Sequence, residues 1–109
     1  MNALGVTVAT RSDGDIVLIV ISGEIDLSNA TYVENQIASA ITNQTMRTAI
    51  DLTDVAYIDS IGMRVLFAIA ARLETAQIGL KIVAPNGSPA RRVIEIAGLD
   101  SIVDVESTA

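Results

Sequence analysis

Asp59-Ser60-Ile61-Gly62-Met63 is the stretch of this chain best suited to chemistry. An acidic residue, a hydroxyl and a glycine stand between a buried-looking strand and a long apolar helix. Ser60 therefore falls where an N-cap would sit, its oxygen within reach of the free amides of the first turn. A helix start also favours negative charge, which suits this hydroxyl to carrying a phosphate. From these residues alone, a cap and a phosphoacceptor are both open readings. Asp59 is a second candidate cap, and Gly62 reads as a place where helix and sheet approach closely. An earlier acidic junction, Gly23-Glu24-Ile25-Asp26, closes another strand run, and there Asp26 reads as a strand terminator that helps to cap the helix beginning near Ser28.

Other chemistries lack their partners. The chain holds no His, which removes the commonest general base and metal ligand together. A serine hydrolase would need a Gly-x-Ser-x-Gly elbow and a base, and neither is present. Lys81 starts a strand away from Ser60, which argues against a Ser–Lys dyad. A phospho-receiver would need its Lys at the end of a late strand rather than at a start. No Walker loop or dinucleotide fingerprint occurs, so no cofactor is expected. These absences predict a non-catalytic protein.

Charge and composition narrow the partners. Thirteen acidic against seven basic residues give a net charge of −6, with no Lys/Arg cluster to hold a phosphate backbone, so no nucleic-acid partner is expected. The absence of Cys excludes disulfides and thiolate metal sites and fits a reducing cytoplasm. The longest apolar runs, Ile16–Ile21 and Val65–Ala71, fall far short of the ~18 residues of a membrane span. The opening Met1-Asn2-Ala3-Leu4-Gly5 has neither the basic nor the apolar region of a secretory signal. The expected location is the cytoplasm, without membrane insertion.

The elements that must position Ser60 follow from periodicity. At 109 residues the chain is expected to form one domain, residues 1–109, with an aliphatic core, since only 3% of residues are aromatic. Gly5–Arg11 and Ile16–Ser22 flank Ser12-Asp13-Gly14-Asp15, a hairpin signal. The unbroken run from Ile16 to Ile21 predicts a strand buried on both faces or nearly so. A helix follows from about Ser28 to Thr42, with Ala30, Val33, Ile37, Ala40 and Ile41 as its buried stripe and Ser28 or the Thr31/Glu34 pair as cap.

Thr48–Leu52 is the third strand, with Asp51 and Asp54 as solvated turn carboxylates. From Gly62 to about Ala76, Met63, Val65, Leu66, Phe67, Ile69, Ala70 and Leu73 nearly encircle a deeply packed helix. Leu80–Ala84 is a fourth strand. Ser88 and Pro89 then supply N-cap and first turn of a helix reaching Ala97, with Gly98 beyond its end. Arg91 and Arg92 read as its exposed face. Ile102–Val105 closes the fold, and Glu106–Ala109 is a frayed tail. The predicted order is β-β-α-β-α-β-α-β. That order means an α/β fold with a mostly parallel mixed sheet and an N-terminal antiparallel hairpin strand at one edge.

With these residues in place, the chain resembles the STAS domains, and among them the stand-alone bacterial anti-sigma factor antagonists. Gly23-Glu24-Ile25-Asp26 is similar to that family's Gly-Glu-hydrophobic-Asp. Asp59-Ser60-Ile61-Gly62-Met63 is similar to its Asp-Ser-x-Gly-hydrophobic. The segment from Ser88 to Leu99 resembles its Pro-led third helix closing on Gly-Leu. The resemblance implies that Ser60 is phosphorylated by an anti-sigma factor that is also an ATP-dependent serine kinase. Unphosphorylated antagonist binds that partner and frees the sigma factor, and a metal-dependent phosphatase of the PP2C type resets the switch. It further implies a partner-binding surface of Asp26, Leu27, Ser28, Asp59, Ser60, Ile61, Met63 and Arg64, with Asp26 beside Ser60. Ile61 departs from the small residue usual in the family, and an exposed Ile there would offer an apolar contact. STAS domains also serve as regulatory subunits of membrane transport complexes, which is the alternative function.

Overall fold

Strands laid down in sequence order, each parallel to the one before, force their connecting helices to one side of the sheet. A computed structural model describes residues 4–108. Its elements are β1 (Val6–Asp13), β2 (Ile16–Ile25), α1 (Ala30–Ala40), β3 (Arg47–Ile58), α2 (Ser60–Thr75), β4 (Gly79–Val83), α3 (Pro89–Ala97), a 3-10 turn (Leu99–Ser101) and β5 (Asp104–Glu106). The sheet order is β1-β2-β3-β4-β5, with β1 antiparallel at the edge and every later pair parallel. This is the α/β class and the element order predicted from sequence. Right-handed crossovers repeated in one direction put every helix on the same face. In agreement, all three helices contribute to a single core cluster, with Val33 and Ile37 from α1, Leu66 and Ile69 from α2, and Ala90 and Ile94 from α3.

That one-sided cover corrects the reading of β2. Its buried residues alternate: Val17, Ile19 and Ile21 face the helices, while Ile16 and Leu18 are half-buried and Val20 is 43% exposed. A continuous apolar run mimics a strand covered on both faces, yet the described residues form no second helical layer to cover it. Register shifts between Val20 and Ser22 and between Gly23 and Glu24 each place an extra residue in β3, so β2 keeps its alternation and Ile25 is buried on the same face as Val17, Ile19 and Ile21.

Other boundaries differ from expectation for local reasons. The hairpin closes over Gly14 and Asp15 alone, so β1 continues to Asp13. β3 runs on to Ile58, because its second half pairs with the Ser22–Ile25 end of β2. Asp51 and Asp54 therefore sit within a strand rather than a turn. Asp51 Oδ1 accepts the Thr53 amide and hydroxyl, an Asx-type bond made within the strand. β4 spans Gly79–Val83, one residue earlier than expected. The closing strand shifts to Asp104–Glu106 because Leu99–Ser101 first makes its own turn. Glu106 is therefore part of the sheet; Ala109, the end of the expected tail, and the opening Met1–Ala3 lie outside the described residues.

Helix α3 matches its expectation, with Ser88 capping the Arg91 amide at 3.1 Å, Pro89 in the first turn and Gly98 left-handed at φ 83°. Arg91 does not belong to its exposed face: Nη1 donates to the Ala84 carbonyl at 2.8 Å, and only Arg92 faces solvent.

Helix α2 carries the most buried side chains and seats closely on the sheet. A Cβ built on Gly62 would lie 2.9 Å from the Ile25 carbonyl oxygen and 2.9 Å from both the Ile25 and Ile58 Cγ2 atoms. Only glycine fits at that contact. Phe67, placed by periodicity in the core, is half-buried at its rim, whereas Leu66 is 1% exposed. Leu66→Ala should therefore cost about 2–5 kcal/mol in urea unfolding, as for other buried Leu truncations. Phe67→Ala should cost clearly less than Leu66→Ala, and the reverse ranking would mean that α2 is rotated about its axis.

Candidate functional site

The start of α2 is organised by Asp59, not by Ser60. Asp59 has an extended backbone (φ −90°, ψ −177°), and its Oδ1 accepts the Gly62 amide at 2.8 Å, the geometry of an N-cap. Its Oδ2 accepts the Leu27 amide at 3.1 Å, across 32 residues of chain. Its own amide donates to the Ile25 carbonyl at 3.1 Å, and its carbonyl accepts the Met63 amide at 3.0 Å. Ser60, expected to be the cap, is instead the first helical residue and is exposed. A carboxylate suits this position because its two oxygens serve two amides that point from different segments.

The β2–α1 loop is built to meet that carboxylate. Asp26 Oδ1 accepts the Ser28 amide at 2.9 Å and the Ser28 hydroxyl at 2.6 Å, while the Asp26 amide donates to Asn29 Oδ1 at 3.0 Å. Asn29 is 2% exposed, and its Nδ2 donates at 2.8 Å to the carbonyls of Leu4 and of Glu24. The loop is thus pinned from below by one buried amide side chain. Neither Ser28 nor the Thr31/Glu34 pair caps α1. Asn29 occupies the cap position with no side-chain cap bond, because its side chain is engaged elsewhere.

Pinning the loop leaves Leu27 at its crest, 74% exposed, near Tyr57 at 51%. Asp26, Leu27, Ser28, Tyr57 and Asp59 line one shallow open cleft. No basic residue lines it, so its field is negative. Exposed apolar side chains rimmed by carboxylates form a surface suited to binding a protein rather than to catalysis.

Residues 7–109, which include both junctions, match the family model of the STAS domain. The chain belongs to the STAS domain family. It is 30% identical over 104 residues to the anti-sigma-F factor antagonist RsfB of Mycobacterium tuberculosis, an alignment covering 94% of this chain and 83% of that protein. Among solved structures it is similar to an anti-sigma factor antagonist from Mycobacterium paratuberculosis, at 25% identity and a TM-score of 0.86, covering 98% of this chain and 90% of that one. The unphosphorylated anti-sigma factor antagonist SpoIIAA shares the fold at 17% identity and a TM-score of 0.71, over 94% of this chain and 90% of that one.

This STAS domain brings most of its sequence-nominated surface together. Asp26, Leu27, Ser28 and Asp59 line the cleft and Ser60 adjoins it, while Arg64 is exposed one helical turn further on. Two residues depart from expectation. Met63 is 5% exposed, on the helix face with Leu66, Ile69 and Leu73, so it belongs to the core and offers nothing to a partner. Ile61 is half-buried against that core rather than exposed. The exposed apolar contacts come from Leu27 and Tyr57 instead. Tyr57 was missed because the third strand seemed to stop at Leu52; in the extended β3 a bulge adds one residue between Val55 and Tyr57, and this turns Tyr57 out of the core beside buried Ile58. Asn29 was missed because its role depends on carbonyls that the fold brings to it.

Stability measurements separate the two hydroxyl-or-carboxylate caps. Asp59→Ala should cost about 1–3 kcal/mol, one N-cap plus the bond to Leu27. Ser60→Ala should stay within about 0.5 kcal/mol of wild type, as an exposed substitution away from a cap. Equal midpoint shifts in urea would return the cap to Ser60.

Proposed function

We propose that this STAS domain is an anti-sigma factor antagonist whose binding is switched off by phosphorylation of Ser60. The observation that carries this reading is the exposed Ser60 hydroxyl on the first residue of α2, beside a capped, pinned acidic cleft. Similarity to anti-sigma factor antagonists supports it. In the unphosphorylated state the surface of Asp26, Leu27, Ser28, Tyr57, Asp59, Ser60 and Arg64 docks on an anti-sigma factor, which releases its sigma factor. That partner is also the kinase. The Ser60 oxygen bonds to the γ-phosphorus of ATP as the bond to ADP breaks, and the hydroxyl proton leaves to a base of the kinase. A PP2C-type phosphatase hydrolyses the ester and restores the hydroxyl. The antagonist itself catalyses neither step.

The energetics favour a switch at the interface and not in the fold. Phosphorylation adds about −1.5 to −2 charge at neutral pH, and the start of a helix tolerates it. Among the described residues the amides of Ser60 and Ile61 have no acceptor, as expected for the first helical turn. Against a docked partner the same charge meets Asp59 and Asp26 in a desolvated surface, and several kcal/mol of binding would be lost.

A pull-down comparing wild type with Ser60→Asp, read by mass spectrometry, identifies the partner. A kinase-fold anti-sigma factor fits the proposal, and an ATPase transport subunit would support the transport-regulator alternative instead. By titration calorimetry against that partner, Ser60→Ala should bind like wild type and resist phosphorylation, while Ser60→Asp should bind at least tenfold more weakly, about 1.4 kcal/mol. Both should melt within a few degrees of wild type, since neither removes the cap. Should Ser60→Ala fail to bind while Ser60→Asp binds tightly, the hydroxyl is a direct contact and the electrostatic switch is wrong.

A further inference from the structure

Arg64 lies one helical turn beyond Ser60 on α2, and both are exposed. Residues four apart on a helix are neighbours, with their Cβ atoms about 5–6 Å apart. The other positions within that reach of Arg64 are Ile61, Phe67 and Ala68, none of which can carry charge. The ion pairs among the described residues are Lys81 with Glu106 and Arg91 with Glu95, so Arg64 joins none. The second of these closes the same four-residue spacing, at 3.3 Å between Arg91 Nε and a Glu95 oxygen. Arg64 is thus a cation without an acid, four residues after a hydroxyl that phosphorylation would turn into one.

We propose that Arg64 is the intramolecular counter-ion of phosphorylated Ser60. The proposal rests on the reading of Ser60 as phosphoacceptor and adds what becomes of the phosphate in the free domain. An acid placed N-terminal to a base at this spacing is the favourable orientation on a helix. A phosphate also offers three acceptor oxygens to the planar fork of a guanidinium. Asp59 next to Ser60, and Asp26 across the cleft, push the other way by repelling the phosphate. Modification then changes the docking face twice over: it adds a dianion and it withdraws Arg64, an exposed cation otherwise offered to the partner. The pair also gives a reason for Asp at position 60 to be a partial mimic, since its carboxylate is shorter and carries one charge.

The test places phosphoserine at position 60 of the full chain by genetic encoding, without any kinase, and titrates its phosphorus NMR signal. A nearby cation favours the dianion, so it lowers the second phosphate pKa, and removing it raises that pKa. Arg64→Gln should raise it by roughly half a unit, the scale of an exposed ion pair. Arg64→Lys should keep most of the wild-type value. Arg72→Gln removes the same charge about 18 Å along the helix from position 60, beyond the Debye length, and should leave the titration unmoved. Equal shifts for Arg64→Gln and Arg72→Gln would reduce the effect to net charge, and no shift in Arg64→Gln would leave the guanidinium in solvent; either result overturns the pair. Binding of the phosphoserine protein to the partner found by pull-down is scored separately. Lost binding without an Arg64-dependent shift keeps the switch and sinks the pair, whereas retained binding with that shift sinks the switch and keeps the pair.

Discussion

The Asp59 carboxylate accepts two amides that belong to different parts of the chain, Gly62 in α2 and Leu27 in the loop after β2. Most of the candidate site depends on that pair of hydrogen bonds. It starts α2 in the right place, which leaves Ser60 as an exposed first residue. It also draws the Leu27 loop against the end of β3, so that Leu27, Tyr57 and Asp26 share a surface. The close seating of α2 at Gly62 completes the constraint, because helix start and loop can meet one carboxylate only if the helix lies almost on the backbone of β2. Asn29 supports the same loop from beneath through its bonds to Leu4 and Glu24.

A one-sided α/β layer sets where such a site can be. With every helix on one face, the C-terminal ends of β2 and β3 lead into α1 and α2 side by side, and their loops become neighbours. Ligand and partner sites in parallel sheets gather at these strand ends for the same topological reason. The opposite face of the sheet keeps its half-buried Ile16 and Leu18 and exposed Val20, apolar enough to imitate a doubly covered strand in sequence.

A rigid site of this kind suits regulation by charge. Its loop is held by side-chain bonds to backbone, and its helix is capped by a residue other than the one proposed for modification. Adding a phosphate to Ser60 then leaves the supporting bonds of the fold untouched. What changes is the potential presented to a partner, and potential governs which surfaces can approach and stay. Separating the cap from the proposed acceptor would let one property vary while the other stays constant.

Much of this was legible in the residues themselves. Periodicity determined the alternation of strands and helices, and Ser88, Pro89 and Gly98 marked both ends of α3, because these are local preferences carried by single side chains. The acidic junctions at Asp26 and Asp59 were visible for the same reason. Tertiary structure decided the rest. Which of Asp59 and Ser60 caps α2 depended on the position of the Leu27 amide, a residue 32 places away. Whether β2 is covered on one face or two depended on the path of three crossovers. The length of β3 depended on a bulged pairing with β2, and with it the exposure of Tyr57. Met63 and Ile61 follow the rotation of α2 on the sheet, where packing overrides a motif read along the chain. Local conformational preference is written residue by residue, but a long-range hydrogen bond or a buried face exists only once two distant segments have met.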